Sequence, residues 1–222
     1  MRLKLSFFLL VGSIEALLSS SAFAEVSFEK QVKPVLESAC LSCHGEKKPK
    51  GELAIHTYEA LLEGSEYGEV VVPGKPEDST LYTTTILPPD ADEVMPPKAP
   101  FLSKAQADVL KEWIAAGAKW PKGMVLKQVR RVEFVKDIKP LLEGFYEKDF
   151  DFKNAVVPFD LEKSKLYQFA SLPTDSPDLL PRPEKGGPLG DKQLNLLRDW
   201  IVQGAVWPVG VKLEVKEMPA PI

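Results

Sequence analysis

The sequence predicts a mainly α-helical protein built as two tandem helical lobes with proline-rich loops. Three observations carry that expectation. Apolar residues recur at helical spacing in both halves, no segment shows a convincing run of alternating strand residues, and a set of short motifs occurs twice in the same order. The segment Phe28-Glu29-Lys30-Gln31-Val32-Lys33-Pro34 returns as Phe134-Val135-Lys136-Asp137-Ile138-Lys139-Pro140. Val71-Val72-Pro73 and Leu81-Tyr82 return as Val156-Val157-Pro158 and Leu166-Tyr167. Trp113-Ile114, Gly117-Ala118 and Trp120-Pro121 return as Trp200-Ile201, Gly204-Ala205 and Trp207-Pro208. The offset is 106 residues at the start, 85 in the middle and 87 at the end, so the second copy lacks 21 residues and regains two.

Along the chain, residues 1–24 read as an export signal. Arg2 and Lys4 precede an apolar stretch from Phe7 to Ile14, and Ala22-Phe23-Ala24 supplies a small-residue cleavage site. Glu15 interrupts the apolar stretch, which is too short for a spanning helix in any case. The first lobe is expected over 25–122, a linker over 123–131, the second lobe over 132–210 and a tail over 211–222. Val35, Leu36 and Ala39 suggest a helix that starts or bends at Pro34 and runs into Cys40. A short helix is expected after Thr57, with Leu61 and Leu62 as its apolar face and Gly64 as its stop, and another near Asp78 or Ser79. Pro88, Pro89, Pro96, Pro97 and Pro100 make residues 87–100 an extended loop, because rings and missing amides would break a helix repeatedly. Ser103 and Gln106 form a capping box for a helix that presents Leu110, Trp113 and Ile114 and stops at Gly117. Leu197, Trp200, Ile201 and Gly204 keep the same spacing. The linker is basic and apolar instead of rich in glycine and serine, which predicts lobes that pack together.

The whole chain carries 28 basic and 32 acidic side chains. Signal cleavage removes two of the first and one of the second, leaving 26 against 31 and a net charge of −5. That balance argues against nucleic acid or anionic lipid as a partner.

Chemistry is concentrated in Cys40-Leu41-Ser42-Cys43-His44, the attachment pattern of c-type haem. Two thiols one helical turn apart can add to the vinyl groups along one porphyrin edge, and the adjacent histidine then reaches the iron from one face. Both cysteines of the chain lie in this motif. A disulfide between them would close a very small loop and stabilise little, and a redox dithiol would ordinarily follow a strand in an α/β pattern. A zinc site would need a fourth ligand, with only His56 left among nitrogen and sulfur donors.

The opposite iron ligand decides between electron transfer and small-molecule binding. Met95 stands in Val94-Met95-Pro96-Pro97, where flanking prolines present a thioether on a stiff loop. Met124 follows Trp120-Pro121, Met218 lies in the tail, and His56 is the rival ligand. In the second copy Cys40, Cys43 and His44 align with Tyr146, Asp149 and Phe150, and Met95 aligns with Leu180. Phe145, Tyr146, Phe150 and Phe152 are expected to fill the volume that a cofactor would take.

Taken together, Cys40 to Gly45, Gly51-Glu52-Leu53, Glu59 to Gly64, Val72 to Pro76, Ser79-Thr80-Leu81, Met95-Pro96-Pro97 and Trp113 to Pro121 resemble the planctomycete-type cytochrome c family. The resemblance covers nearly all of the first copy. It implies a helical cytochrome c domain with one covalently attached haem c per chain, bound by Cys40 and Cys43, with His44 as proximal and Met95 as distal iron ligand. The expected function is an exported, periplasmic or otherwise extracytoplasmic, electron carrier and not an enzyme, with redox proteins as donor and acceptor and the haem-free second lobe as scaffold or docking surface. The alternatives are a haem enzyme or gas sensor with an open distal position, and a structural module. At every haem-contacting position the second copy departs from the family pattern.

Overall fold

The computed structural model describes residues 26–47, 49–146 and 149–214. The expected export signal, most of the tail and Met218 lie outside the described residues. Among those described, all regular structure is helical, and the extended backbone forms only two isolated bridges, Ser65 with Gly68 and Val157 with Asp160.

A continuous helical run leads into the cysteine motif. It comprises a wide π-type turn over Phe28–Val32, α1 (Lys33–Val35), a second π-type turn over Leu36–Cys40, and α2 (Leu41–His44). Of the two expectations for Pro34, a start or a bend, the start is excluded, since the run begins six residues earlier. The Ser27 hydroxyl accepts the Lys30 amide while Gln31 Oε1 accepts the Ser27 amide at 2.9 Å, so the end is capped from both sides. A π-type turn is one of the local adjustments that admits a proline ring and its missing amide inside a helix. The second half repeats the solution, with a π-type turn over Phe134–Ile138 ahead of α6 (Lys139–Glu143) and its Pro140.

α3 (Tyr58–Glu63) is capped by Thr57 and stopped by Gly64, whose φ of +80° suits glycine. α4 (Thr80–Thr83) follows Ser79, but the Ser79 hydroxyl reaches back to accept the Val72 amide and donate to the Lys75 carbonyl. α5 (Lys104–Ala115) carries the expected capping box and ends before Gly117. α7 (Lys165–Ala170) and α8 (Asp191–Val202) are the later counterparts of α4 and α5. Residues 87–100 form the expected loop, which continues without a helix through residue 102.

Two separate apolar cores result. One gathers Val32, Leu36, Leu41, Leu110, Trp113 and Ile114; the other gathers Ile138, Leu142, Phe145, Leu166, Leu197 and Trp200. Each is sealed by an aromatic trio. Phe28 stands 4.5 Å from Trp120, and Phe134 stands 4.1 Å from Trp207, centroid to centroid. Equivalent hydrogen bonds recur at the sequence offsets. Trp113 Nε1 donates to the Lys119 carbonyl as Trp200 Nε1 does to Val206, and the Lys127 amide donates to Glu37 Oε1 as the Glu214 amide does to Glu143 Oε1.

The two cores meet through polar and aromatic contacts. Gln106 Nε2 donates to the Gln203 carbonyl at 2.7 Å, and both side chains are buried. Gln203 in turn accepts the Val132 amide and donates to the Arg130 carbonyl. Phe159 reaches from the second half onto the first core, beneath Gly204.

Candidate functional site

The helical run places Cys40 at the end of its second π-type turn and Cys43 and His44 in α2, so one stretch of helix presents all three side chains. Both cysteines are partly buried free thiols, and they are not joined to each other. Burial pushes the Cys40 thiol up to about 12, with the nearby Arg131 guanidinium opposing the shift and Cys43 adding to it.

His44 is fixed by the segment that follows it. The Ile55 amide donates to the His44 carbonyl at 2.9 Å, and His44 Nδ1 lies 3.3 Å from the Leu53 carbonyl oxygen. A carbonyl only accepts, so Nδ1 carries the proton and Nε2 keeps its lone pair for a metal. Burial lowers the imidazole below its ordinary value, against the pull of the Leu53 and Lys50 carbonyls, and favours the neutral form that a metal needs. Gly45 next to it must be small: a Cβ there would stand 2.9 Å from the Leu41 carbonyl oxygen.

Met95 lies on a different element. Its amide donates to the Thr84 carbonyl at 3.0 Å, which hangs the loop from the end of the α4 region. The side chain is 37% exposed and belongs to neither core. Leu180 occupies the same place in the second half, with its amide on the Phe169 carbonyl, yet it is 7% exposed and packed into the core. Thus equivalent backbones pack one side chain into the core and leave the other outside it.

His56 sits one residue beyond Ile55, on the segment that backs His44. Its carbonyl accepts the Leu126 amide, and its buried Nδ1 has no hydrogen-bond partner. Met124 packs against the first core through the Trp120 neighbourhood, where its carbonyl accepts Trp120 Nε1. Among the described residues no group of three or more His, Cys, Asp and Glu side chains is assembled to hold a metal ion.

Where the second half aligns with the motif, aromatic rings take over. Phe150 meets Phe152 edge-on at 4.9 Å and Phe169 at 6.4 Å, and Phe145 meets Phe152 at 5.6 Å. Tyr146 stays outside this cluster and lies against Gly186. An open groove of about 620 Å³ lies beside these rings, lined by Phe150, Phe152, Trp207, Pro208, Val211 and Leu213. The titratable and sulfur chemistry sits at Cys40 to His44 instead.

Two residues of this neighbourhood escaped the sequence reading. Glu37, 6% exposed, binds the linker by accepting the Lys127 amide on its carboxylate and the Val129 amide on its carbonyl. Arg131 donates to the Pro100 and Phe101 carbonyls. The one signal for Glu37 was its return as Glu143; for Arg131 it was only the basic character of the linker.

The donor set fits haem. Two unpaired thiols at helical spacing stand beside an imidazole whose Nδ1 is already committed and whose Nε2 is free. Residues 40–99 match the family model described as Planctomycete cytochrome C. Neither a curated protein nor a solved structure matches the chain. No helix among the described residues is long and apolar enough to cross a membrane. The stretch that carries Cys40, Cys43 and His44 is thus similar to a planctomycete cytochrome c domain, of the kind that holds haem c covalently and transfers electrons.

Proposed function

We propose that the protein is an exported monohaem electron carrier, with haem c bonded to Cys40 and Cys43 and ligated by His44 and Met95. The observation that carries this reading is the commitment of His44 Nδ1 to the Leu53 carbonyl, beside two free thiols on the same helical stretch. Haem iron, when bound, supplies one-electron exchange between Fe(II) and Fe(III), and thioether ligation favours the reduced state.

The chain's own residues hold and insulate that group. Cys40 and Cys43 fix one edge of it; Leu53 orients His44; Met95 is offered from the 87–102 loop. Met95 is favoured over His56 because His56 rides on the segment that backs His44, whereas Met95 would be offered to the haem from a separate element. No acid-base pair or nucleophile is needed for outer-sphere transfer, which favours a carrier over an enzyme. In the second half, Phe145, Phe150, Phe152 and Phe169 cluster where the motif would align, which supports one haem per chain and a scaffold or docking role for residues 132–210. Residues 25–122 and the linker 123–131 complete the proposed division.

Mass spectrometry of the exported protein tests the reading. The expected mass corresponds to cleavage after Ala24 plus one haem. The ferric protein should show the weak red charge-transfer band of sulfur ligation, and Met95→Ala should abolish it while letting the ferrous protein bind carbon monoxide. A colourless product from cells with a working maturation system would refute the proposal.

A further inference from the structure

The linker is threaded through the site it was expected only to connect. From its start the Leu126 amide binds the His56 carbonyl, the Lys127 amide binds Glu37 Oε1, and the Val129 amide binds the Glu37 carbonyl. It thereby runs along the helix that carries Cys40. At its end Arg131 turns toward the methionine loop, donating from Nη1 to the Pro100 carbonyl at 2.6 Å and from Nη2 to the Phe101 carbonyl at 3.1 Å.

Arg131 is partly buried, forms no ion pair among the described residues, and lies close enough to Cys40 for their charges to interact. Burying a guanidinium against two neutral carbonyls is costly, and the nearby Glu133 charge offsets only part of the desolvation. Here the planar fork bridges two successive carbonyls, which a point charge could not match. The residues on either side of Arg131 are themselves held from the second half: Gln203 Oε1 accepts the Val132 amide and Gln203 Nε2 donates to the Arg130 carbonyl. Gln203 is fixed in its turn by Gln106 of α5.

We propose that Arg131 is a positioning residue that latches the Met95 loop closed beside Cys40, and that the haem-free half sets its position through Gln203. This rests on the haem reading for its functional meaning. The second half thereby gains a specific role, clamping the distal side of a site that it does not contain.

The test uses the ferric holoprotein and three variants, Arg131→Met, Arg131→Lys and Gln203→Leu, with haem content and helical circular dichroism checked for each. Two readouts report loop opening: the rate at which imidazole replaces the distal ligand, and the rate of tryptic cleavage after the exposed Lys98. Loss of two charge-assisted hydrogen bonds is expected to raise both rates by about tenfold or more in Arg131→Met. Arg131→Lys should behave like Arg131→Met, since it keeps charge but loses the fork. Gln203→Leu should move both rates the same way by a smaller factor, and it decides the matter should Arg131→Met fail to fold. Unchanged rates in all folded variants, or full retention in Arg131→Lys, would overturn the latch. A wild-type protein lacking the sulfur band would retract Met95 as ligand, and the tryptic rates would then still judge Arg131.

Discussion

At the scale of single residues, burial and one hydrogen bond do most of the chemical work. The thiol of Cys40 is pushed up to about 12 because burial strips it of water, and the positive charge of Arg131 recovers only part of the penalty. An ordinary cysteine at pH 8 carries a useful thiolate fraction, whereas Cys40 should carry about a thousandfold less. In the chain before haem attachment, iodoacetamide at pH 8 should therefore modify Cys40 far more slowly than denatured protein, and peptide mapping measures both rates. Comparable rates would mean that the Cys40 pocket opens freely in the unloaded chain. His44 shows the complementary effect: desolvation favours its neutral form, and the Leu53 carbonyl chooses which nitrogen remains available. That choice depends on a carbonyl nine positions downstream, which the motif itself does not contain.

At the scale of elements, two buried serines organise the turns that precede short helices. Ser79 and Ser164 are both fully buried, and each hydroxyl accepts an amide seven residues upstream while donating to a carbonyl. A four-residue helix such as α4 cannot nucleate itself, so this knot of bonds supplies what helix length does not. Ser79→Ala should cost about 1–3 kcal/mol, because the Val72 amide is left buried without a partner. Chemical denaturation of the holoprotein measures it, and Ser164→Ala should give a similar loss. Ser79 appeared in the sequence only as a candidate helix start, and Ser164 carried no signal of its own. Their side chains turned away from capping, because a better-buried set of partners lay behind them.

At the scale of the whole molecule, the aromatic contact between the halves, beside the Gln106–Gln203 hydrogen bond, rests on one strained residue and one small one. Phe159 adopts φ +65°, a region that its sequence counterpart Gly74 occupies with φ +82° at no steric cost. The ring is thereby carried onto the N-terminal core, directly under Gly204, where an added Cβ would stand 2.7 Å from the ring edge. Gly204→Ala should separate or distort this contact, and Phe159→Ala should cost about 2 kcal/mol through lost burial, less than for a fully buried ring. Differential scanning calorimetry is the appropriate measurement: wild type should unfold in one transition, and the variants should split it or lower it. A single unshifted transition for both variants would show that Phe159 does not couple the halves.

Much of this architecture was legible in the chain. The haem motif, the capping box at Ser103 and Gln106, the stop at Gly117 and the extended proline loop all follow from local chemistry, where residue type dictates backbone behaviour within a few positions. Whether the first helix starts or bends at Pro34 was left open by the sequence, because a π-type turn that admits the ring is an exception that pattern rules do not encode. What the sequence alone determined was which residues could bind a porphyrin and that related motifs occur twice. Only the tertiary structure decided that Leu53 orients His44, that Leu180 is packed where Met95 is left outside the core, and that Arg131 ties the linker to the methionine loop. Those facts depend on carbonyls and side chains brought together from distant positions, and no local propensity specifies them.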